Sequence, residues 1–155
     1  MALNMNILIA PWARSFQGKP NPKNYPHWAS VVQKLVQLKH FCLQISMADE
    51  EKICPNILYN QPLSVIEMLI KSCDVWVSID SFLPHLAYHL GKRGITIWGP
   101  SEHSIFSYSS NVNILPRKKT TVPPFIRWDM VTYDSSLFAP PEQVVEEIQK
   151  FSNRS

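Results

Sequence analysis

The chain has 155 residues, of which 45% are hydrophobic and 17% are charged, and its formal net charge is +3. This length suits one domain with a core of its own, and this composition excludes an intrinsically disordered chain. The small excess of positive charge is compatible with anionic ligands but does not indicate a nucleic-acid-binding protein. No apolar run approaches the roughly 18 residues that cross a bilayer as a helix, so we expect no membrane span.

The three cysteines, Cys42, Cys54 and Cys73, form no C-x-x-C pair and have no histidine at zinc spacing. We therefore expect no disulfide framework, no metal site and no cofactor. The first residues, MALNMNILIAPWARS, have no basic segment ahead of their short apolar run. This pattern does not fit a signal peptide and favours a cytoplasmic location.

Six short apolar segments predict strands. In chain order they are residues 5–11, 41–46, 56–59, 74–80, 94–99 and 111–115. Continuous apolar runs of this length are typical of strands that are buried on both faces, as in a parallel sheet. Residues 116–136 contain several prolines and a basic cluster, and we expect them to be irregular.

Segments between and after these strands predict helices. In chain order they are residues 26–39, 64–72, 83–90 and 140–151. In the first helix, Trp28 and Val31 begin an apolar face at steps of three and four, and Pro26 fits the first turn. Ser64 and Glu67 have the spacing of a capping box, which predicts that the second helix starts at Ser64.

Strands that alternate with helices predict an α/β fold with one mostly parallel sheet of about six strands. We interpret residues 1–155 as a single domain of this class. In such a sheet, ligands bind beyond the carboxyl ends of the strands. Residues that follow the first, fourth and fifth predicted strands should therefore converge on one edge, and they are Trp12, Arg14, Asp80, Ser81, Gly99 and Pro100.

The segment DSFLPH, which follows the fourth predicted strand, is the main candidate for a binding site. A helix that starts near Asp80 and Ser81 presents backbone N–H groups and a partial positive charge, which favour a phosphate group. His85 is expected about one turn into this helix, where it could donate a hydrogen bond to a phosphate or act as an acid. The alternative is that Asp80 or Ser81 only caps the helix and that His85 packs, and spacing alone favours this alternative.

Three other features are candidates, and each has a structural alternative. Gly99 and Pro100 form a turn at which backbone could approach a ligand, or an ordinary turn between a strand and a helix. Lys23 could bring a cation to a phosphate, or lie in solvent. Asp49 and Glu50, after the second strand, could accept a hydrogen bond from a ribose hydroxyl, or only form an acidic turn.

The order of these motifs resembles the C-terminal half of glycosyltransferase family 9, the ADP-heptose:lipopolysaccharide heptosyltransferases. The family pattern is a strand, D-S-G-x-x-H-x-A, and a strand that ends in G-P-T or G-P-S. It corresponds here to DSFLPHLAYHLGKRGITIWGPSEH. KNYP ahead of an amphipathic helix is similar to K-x-W-P of the family, and FAPPEQVVEEIQKF is similar to its closing helix. The resemblance covers nearly the whole chain, in order.

The resemblance implies a Rossmann-like three-layer fold, similar to one half of a GT-B glycosyltransferase. It also implies a nucleotide-sugar donor, with an ADP-sugar favoured. Carried over to this sequence, the donor-phosphate loop of the family corresponds to Asp80, Ser81 and Phe82, and the motif histidine corresponds to His85. The motif lysine corresponds to Lys23, and the ribose position corresponds to Asp49 or Glu50.

Two departures from the family pattern bear on function. Phe82 replaces the motif glycine, and its side chain would crowd a phosphate that approaches the backbone. The family's N-terminal half, which supplies the acceptor site and the general base, has no counterpart in these residues. Transfer would therefore need a partner subunit of that type, or a second copy of the chain in a homodimer.

We therefore predict a glycosyltransferase-like domain that binds a nucleotide-sugar and that needs a second domain or subunit for transfer. One alternative is a catalytically inactive module that binds a nucleotide or another protein. Another is a small hydrolase of nucleotide-sugars that uses Asp80 or His85 as an acid or a base.

Overall fold

The structure, a computed structural model, describes residues 3–119 and 122–152 and contains one six-stranded sheet. The strands are β1 Asn6–Ala10, β2 Phe41–Ser46, β3 Asn56–Tyr59, β4 Val75–Ile79, β5 Ile95–Ile97 and β6 Val112–Ile114. They lie in the order β3-β2-β1-β4-β5-β6, and each neighbouring pair is parallel. The predicted α/β fold with a mostly parallel sheet is confirmed.

Helices cover both faces of this sheet. They are α1 Trp28–Gln37, α2 Leu63–Ser72, α3 Phe82–His89, the single turn α4 His103–Phe106, and α5 Pro141–Ser152. Two single 3₁₀ turns, at Trp128–Met130 and Ser135–Leu137, lie in the segment between β6 and α5, and the other described residues of this segment form no helix or strand, as predicted. Within the described residues, no helix has both the length and the apolar character to cross a membrane.

The alternation of side chains along the strands builds one core on each face of the sheet. Ile7 and Ile9 of β1 pack with α1 and α5, whereas Leu8 and Ala10 of the same strand pack with α2 and α3. Both faces of β1 are therefore buried, which explains its continuous apolar sequence. The result is a Rossmann-like three-layer arrangement of helices, sheet and helices.

The strand register aligns the carboxyl ends of the central strands. Ala10 of β1 pairs with Ser78 of β4, and Ile79 of β4 pairs with Ile97 of β5. The segments that follow β1, β4 and β5 therefore leave the sheet side by side, as the sequence predicted. This alignment brings together the candidate site residues that follow β1, β4 and β5.

All four predicted helix starts differ from the structure by one or two residues. The first helix begins at Trp28 rather than at residue 26, so Pro26 precedes the helix instead of lying in its first turn. The second begins at Leu63 with Pro62 at the N-cap, because the N–H groups of Val65 and Ile66 donate to the carbonyl of Pro62. This bonding starts the helix one residue early, so Ser64 lies inside the first turn and forms no capping box. The third and fourth predicted helices begin at Phe82 and Pro141 rather than at residues 83 and 140. The first, fourth, fifth and sixth strands are shorter than predicted.

Candidate functional site

A lysine and an aspartate from distant parts of the chain meet at the carboxyl edge of the sheet. Lys23, from the loop after β1, places its Nζ 3.7 Å from Oδ2 of Asp80, which follows β4. The two side chains are only 16% and 14% exposed. The same Nζ lies 5.1 Å from the centre of the Trp128 ring, which comes from the segment after β6. The edge therefore holds a largely dehydrated ion pair with an aromatic ring over the cation.

Asparagine side chains give the loop after β1 the shape that delivers Lys23. Asn24 Oδ1 accepts a hydrogen bond from the N–H of Ala13 at 2.9 Å. Asn21, which is buried, accepts one from the N–H of Lys23 at 3.0 Å and donates another to the carbonyl of Arg14 at 3.0 Å. Apart from one antiparallel bridge between Phe16 and Lys19, these side-chain bonds take the place of regular backbone pairing in the loop.

The segment after β6 closes over this loop. The hydroxyl of Tyr133 donates to the carbonyl of Asn24 at 2.9 Å. Burial raises the pKa of Tyr133, which keeps the phenol protonated as a donor. Together with Trp128, this contact anchors the irregular segment against the Lys23 loop.

The first turn of α3 faces the same edge and has an unusual set of donors. Ser81 occupies the N-cap but its side chain makes no capping bond, and its Oγ lies 3.2 Å from Oγ of Ser78. Pro84 has no N–H group, so the donors that this turn can offer an anion are the N–H groups of Phe82 and Leu83. The side chain of Phe82 is 52% exposed beside them.

His85 lies one turn further along α3 and contacts an aromatic cluster. Its Nδ1 lies 2.7 Å from the hydroxyl of Tyr108. The Tyr108 ring stacks on that of Tyr88, with centroids 4.1 Å apart and planes 15° apart. The imidazole is partly buried. Its Nδ1 is engaged with the Tyr108 hydroxyl.

The turn after β5 is tightly packed. Gly99 and Pro100 are both buried. A Cβ on Gly99 would lie 2.6 Å from Cε1 of Phe138, so packing against that ring requires glycine here. The hydroxyl of Ser101, the next residue along, is buried and has no hydrogen-bond partner within the described residues. Packing accounts for Gly99, while ligand contact at this turn stays a prediction.

The remaining predicted site residues, Trp12, Arg14, Asp49 and Glu50, lie in the loops after β1 and β2. The indole N–H of Trp12 donates to the carbonyl of Glu51 at 2.8 Å, which ties the loops after β1 and β2 together. Glu50 accepts from the N–H of Met47 at 2.9 Å and so closes the acidic turn. The side chains of Arg14 and Asp49 are exposed. Among the described contacts, none joins these residues to the Lys23–Asp80 pair.

Sequence reasoning missed Trp128, Tyr108 and Tyr133. They belong to segments with no hydrophobic period and no motif, so only their aromatic character marked them.

Two grooves lie away from the predicted site residues. One, of about 640 Å³, lies between α1 and α5, and the other, of about 550 Å³, lies between α1 and residues 51–55. No predicted site residue lines either groove. Within the described part of the chain, no group of three His, Cys, Asp or Glu residues has the geometry of a metal site.

The family model of glycosyltransferase family 9 (heptosyltransferase) matches residues 3–127. No curated protein matches the chain in sequence.

Three solved structures have a similar fold. The E. coli ADP-heptose LPS heptosyltransferase II gives a TM-score of 0.69 at 18% identity, over 97% of this chain and 47% of that chain. A family 9 glycosyl transferase from Veillonella parvula gives 0.68 at 13% identity, over 97% and 46%. E. coli heptosyltransferase WaaC with ADP gives 0.66 at 14% identity, over 97% and 45%. The chain thus spans about half the length of these structures.

Proposed function

The chain belongs to glycosyltransferase family 9, and on this basis we propose that the carboxyl edge of its sheet binds the diphosphate of a nucleotide-sugar. The observation that carries the proposal is the Lys23–Asp80 pair, 3.7 Å long and mostly shielded from water. An ammonium group in such a setting attracts phosphate more strongly than one in solvent. The first turn of α3 adds backbone donors and a partial positive charge.

An ADP-sugar is the first donor to test. Two of the similar structures are named for ADP-heptose or contain ADP. The ring of Trp128, which is partly buried and lies beside Lys23 Nζ at this edge, is suited to contact a base or a sugar ring through its apolar face. We propose that Asp49 or Glu50 reaches the ribose, as acidic residues after the second strand do in nucleotide-binding sheets of this class.

The test is a calorimetric titration with ADP, UDP, GDP and an ADP-sugar, with adenosine as the ligand that lacks phosphate. We expect saturable binding of at least one diphosphate and no comparable binding of adenosine. Heat signals that are flat for all diphosphates would overturn the proposal. A thermal shift provides a second readout, since a ligand at a hundred times its dissociation constant adds roughly 2.7 kcal/mol to the free energy of unfolding.

Transfer requires a second Rossmann-like half, which we propose faces this edge. Exposed apolar side chains at the edge support such an interface, and they include Met47, Phe82, Ile105, Phe125 and Met130. An apolar surface of this kind marks a contact with another domain or subunit. The other half could belong to the same protein, to a partner subunit, or to a second copy of this chain. A cytoplasmic location stays a prediction.

Sedimentation distinguishes the homodimer from the other two arrangements. A homodimer through this edge predicts a mass that rises with concentration and a Phe125→Asp variant that stays monomeric. A wild-type chain that remains monomeric at high concentration would exclude the homodimer and favour a half supplied from elsewhere.

A second function is favoured by one specific feature, the phenylalanine at the motif glycine. If the Phe82 side chain blocks the phosphate, the domain is an inactive member of its family that binds another protein through the same apolar edge. No nucleotide binding by the wild-type chain, together with binding of a diphosphate by a Phe82→Gly variant, would support this second function, whereas binding by the wild type would exclude it.

A further inference from the structure

His85, a candidate ligand-binding residue, contacts Tyr108, which is not among the residues proposed to bind the nucleotide-sugar. His85 Nδ1 and the Tyr108 hydroxyl are 2.7 Å apart, and the two rings meet edge to face at 77°. We propose that Tyr108 is a positioning residue that keeps the second ring nitrogen of His85, Nε2, protonated and available to the donor phosphate. The proposal rests on the function proposed above.

The contact favours one position of the ring proton. In one neutral tautomer, the phenol donates its O–H to the lone pair of Nδ1, and the ring proton then lies on Nε2. In the charged imidazole, Nδ1–H donates to the phenol oxygen and Nε2 again carries a proton. In the other neutral tautomer, Nδ1–H also donates to the phenol oxygen, but the phenol O–H then has no acceptor in the pair, so we expect this form to be disfavoured. In both favoured states Nε2 is a donor, which is the polarity that a phosphate needs.

Tyr108 is itself held from two sides, which suits a positioning role. Its ring stacks on Tyr88, which is three residues after His85 and therefore on the same face of α3. Its carbonyl accepts hydrogen bonds from the side chain of Asn113 and from the N–H of Asn111, both at 3.1 Å. The backbone of Tyr108 is thus held against β6 and its ring against α3, and the ring cannot turn away from the imidazole without losing its stack on Tyr88.

The two tyrosines provide a matched pair of variants. Tyr108→Phe removes the hydroxyl that contacts His85 and keeps the stacked ring. Tyr88→Phe removes a hydroxyl from the other ring of the same stack, so it controls for any general effect on the cluster. Both changes preserve ring volume, and circular dichroism with thermal melting checks that each variant folds like the wild type.

The first readout is the pair of ring-nitrogen chemical shifts of His85, measured by NMR on the ligand-free protein. We expect the Nε2–H form in the wild type and in Tyr88→Phe, and a mixture of tautomers in Tyr108→Phe. A purely structural role for Tyr108 would not change this ratio. Unchanged shifts in Tyr108→Phe would overturn the proposal.

The second readout is the ADP dissociation constant. We expect Tyr108→Phe to weaken ADP binding roughly three- to tenfold, the effect of a misaligned hydrogen bond, with Tyr88→Phe close to the wild type. In a His85→Ala background, Tyr108→Phe should have no further effect, because its action passes through the imidazole. An equal loss in both backgrounds would refute the positioning role. If the wild type binds UDP or GDP but not ADP, the dissociation constant of that nucleotide is measured instead. If it binds no diphosphate, the proposed function fails, and the tautomer measurement alone decides this inference.

Discussion

Lys23 and Asp80 form an ion pair that is both shielded and loose. Their side chains are 16% and 14% exposed, yet Nζ and Oδ2 are 3.7 Å apart, which is longer than a charge-assisted hydrogen bond. The carboxylate balances the charge of the ammonium group, and the distance leaves the ammonium free to turn towards an anion. Under the proposed function, the pair would therefore prepare the edge of the sheet for a phosphate without leaving an isolated buried charge.

Replacement of Lys23 by methionine should weaken diphosphate binding. We expect the ADP dissociation constant of Lys23→Met to rise about tenfold or more, which corresponds to a loss of about 1.4 kcal/mol. The stability of the protein should also fall, because Asp80 is left with little water and no cation. Calorimetry measures the first effect and urea unfolding the second.

The matched control is Lys19→Met, which removes a lysine from the same loop at an exposed position. This variant should bind ADP like the wild type and lose little stability. Equal effects of the two substitutions would mean that general charge, and not the placed ammonium group of Lys23, attracts the nucleotide.

Removal of the Phe82 side chain should strengthen nucleotide binding. The ring is 52% exposed at the first residue of α3, so its loss costs little core packing, and glycine lets a phosphate approach the N–H donors of the turn. We expect Phe82→Gly to lower the ADP dissociation constant about tenfold and Phe82→Leu, which keeps a bulky side chain, to leave it nearly unchanged. Weaker binding by Phe82→Gly would show instead that the ring itself contacts the ligand.

Much of the architecture could be predicted from local sequence, because each strand is a short apolar segment that is followed by loop residues. All six strands were predicted, and β2 and β3 have the predicted bounds. The helix starts were less accurate, since the residue that begins the hydrogen bonding can differ from the best capping side chain. At α2, Pro62 supplies the carbonyl and Ser64 is displaced into the first turn.

The candidate site was only partly predictable. Lys23, Asp80 and His85 were identified because they follow strand ends and match motifs of the family. Trp128 and Tyr108 were missed because their contacts with Lys23 and His85 join an irregular segment to a distant part of the chain. No periodicity encodes such a contact, and it emerges only when the sheet has brought the loops together.

Addition of a single methyl group at Gly99 should destabilise the fold. An alanine Cβ there would lie 2.6 Å from Cε1 and 2.8 Å from Cζ of the Phe138 ring, which is itself buried. Overpacking of this kind costs about 1–3 kcal/mol, and we expect a loss of that size in urea unfolding of Gly99→Ala. The double variant Gly99→Ala/Phe138→Leu should lose less stability than the sum of the two single changes, because the smaller side chain makes room. Strict additivity would contradict the packing role of Gly99.

The three cysteines should be inert while the protein is folded. All are buried and free, and burial raises the pKa of Cys54 to about 12 and those of Cys42 and Cys73 to about 11. Only the thiolate reacts, so a thiol reagent at pH 8 should modify the native protein very slowly and should modify three thiols once urea unfolds it.

The same pKa values predict how stability depends on pH. Because they are higher in the folded state than the ordinary value of about 9, the thiols do not reduce the free energy of unfolding below pH 9. The free energy of unfolding should then fall as the pH rises from about 9 to about 11. A Cys54→Ala variant reports on one site, since it should reduce the count in urea from three to two without changing the native rate. Rapid labelling of the native protein at pH 8 would contradict the closed core that the fold places around these residues.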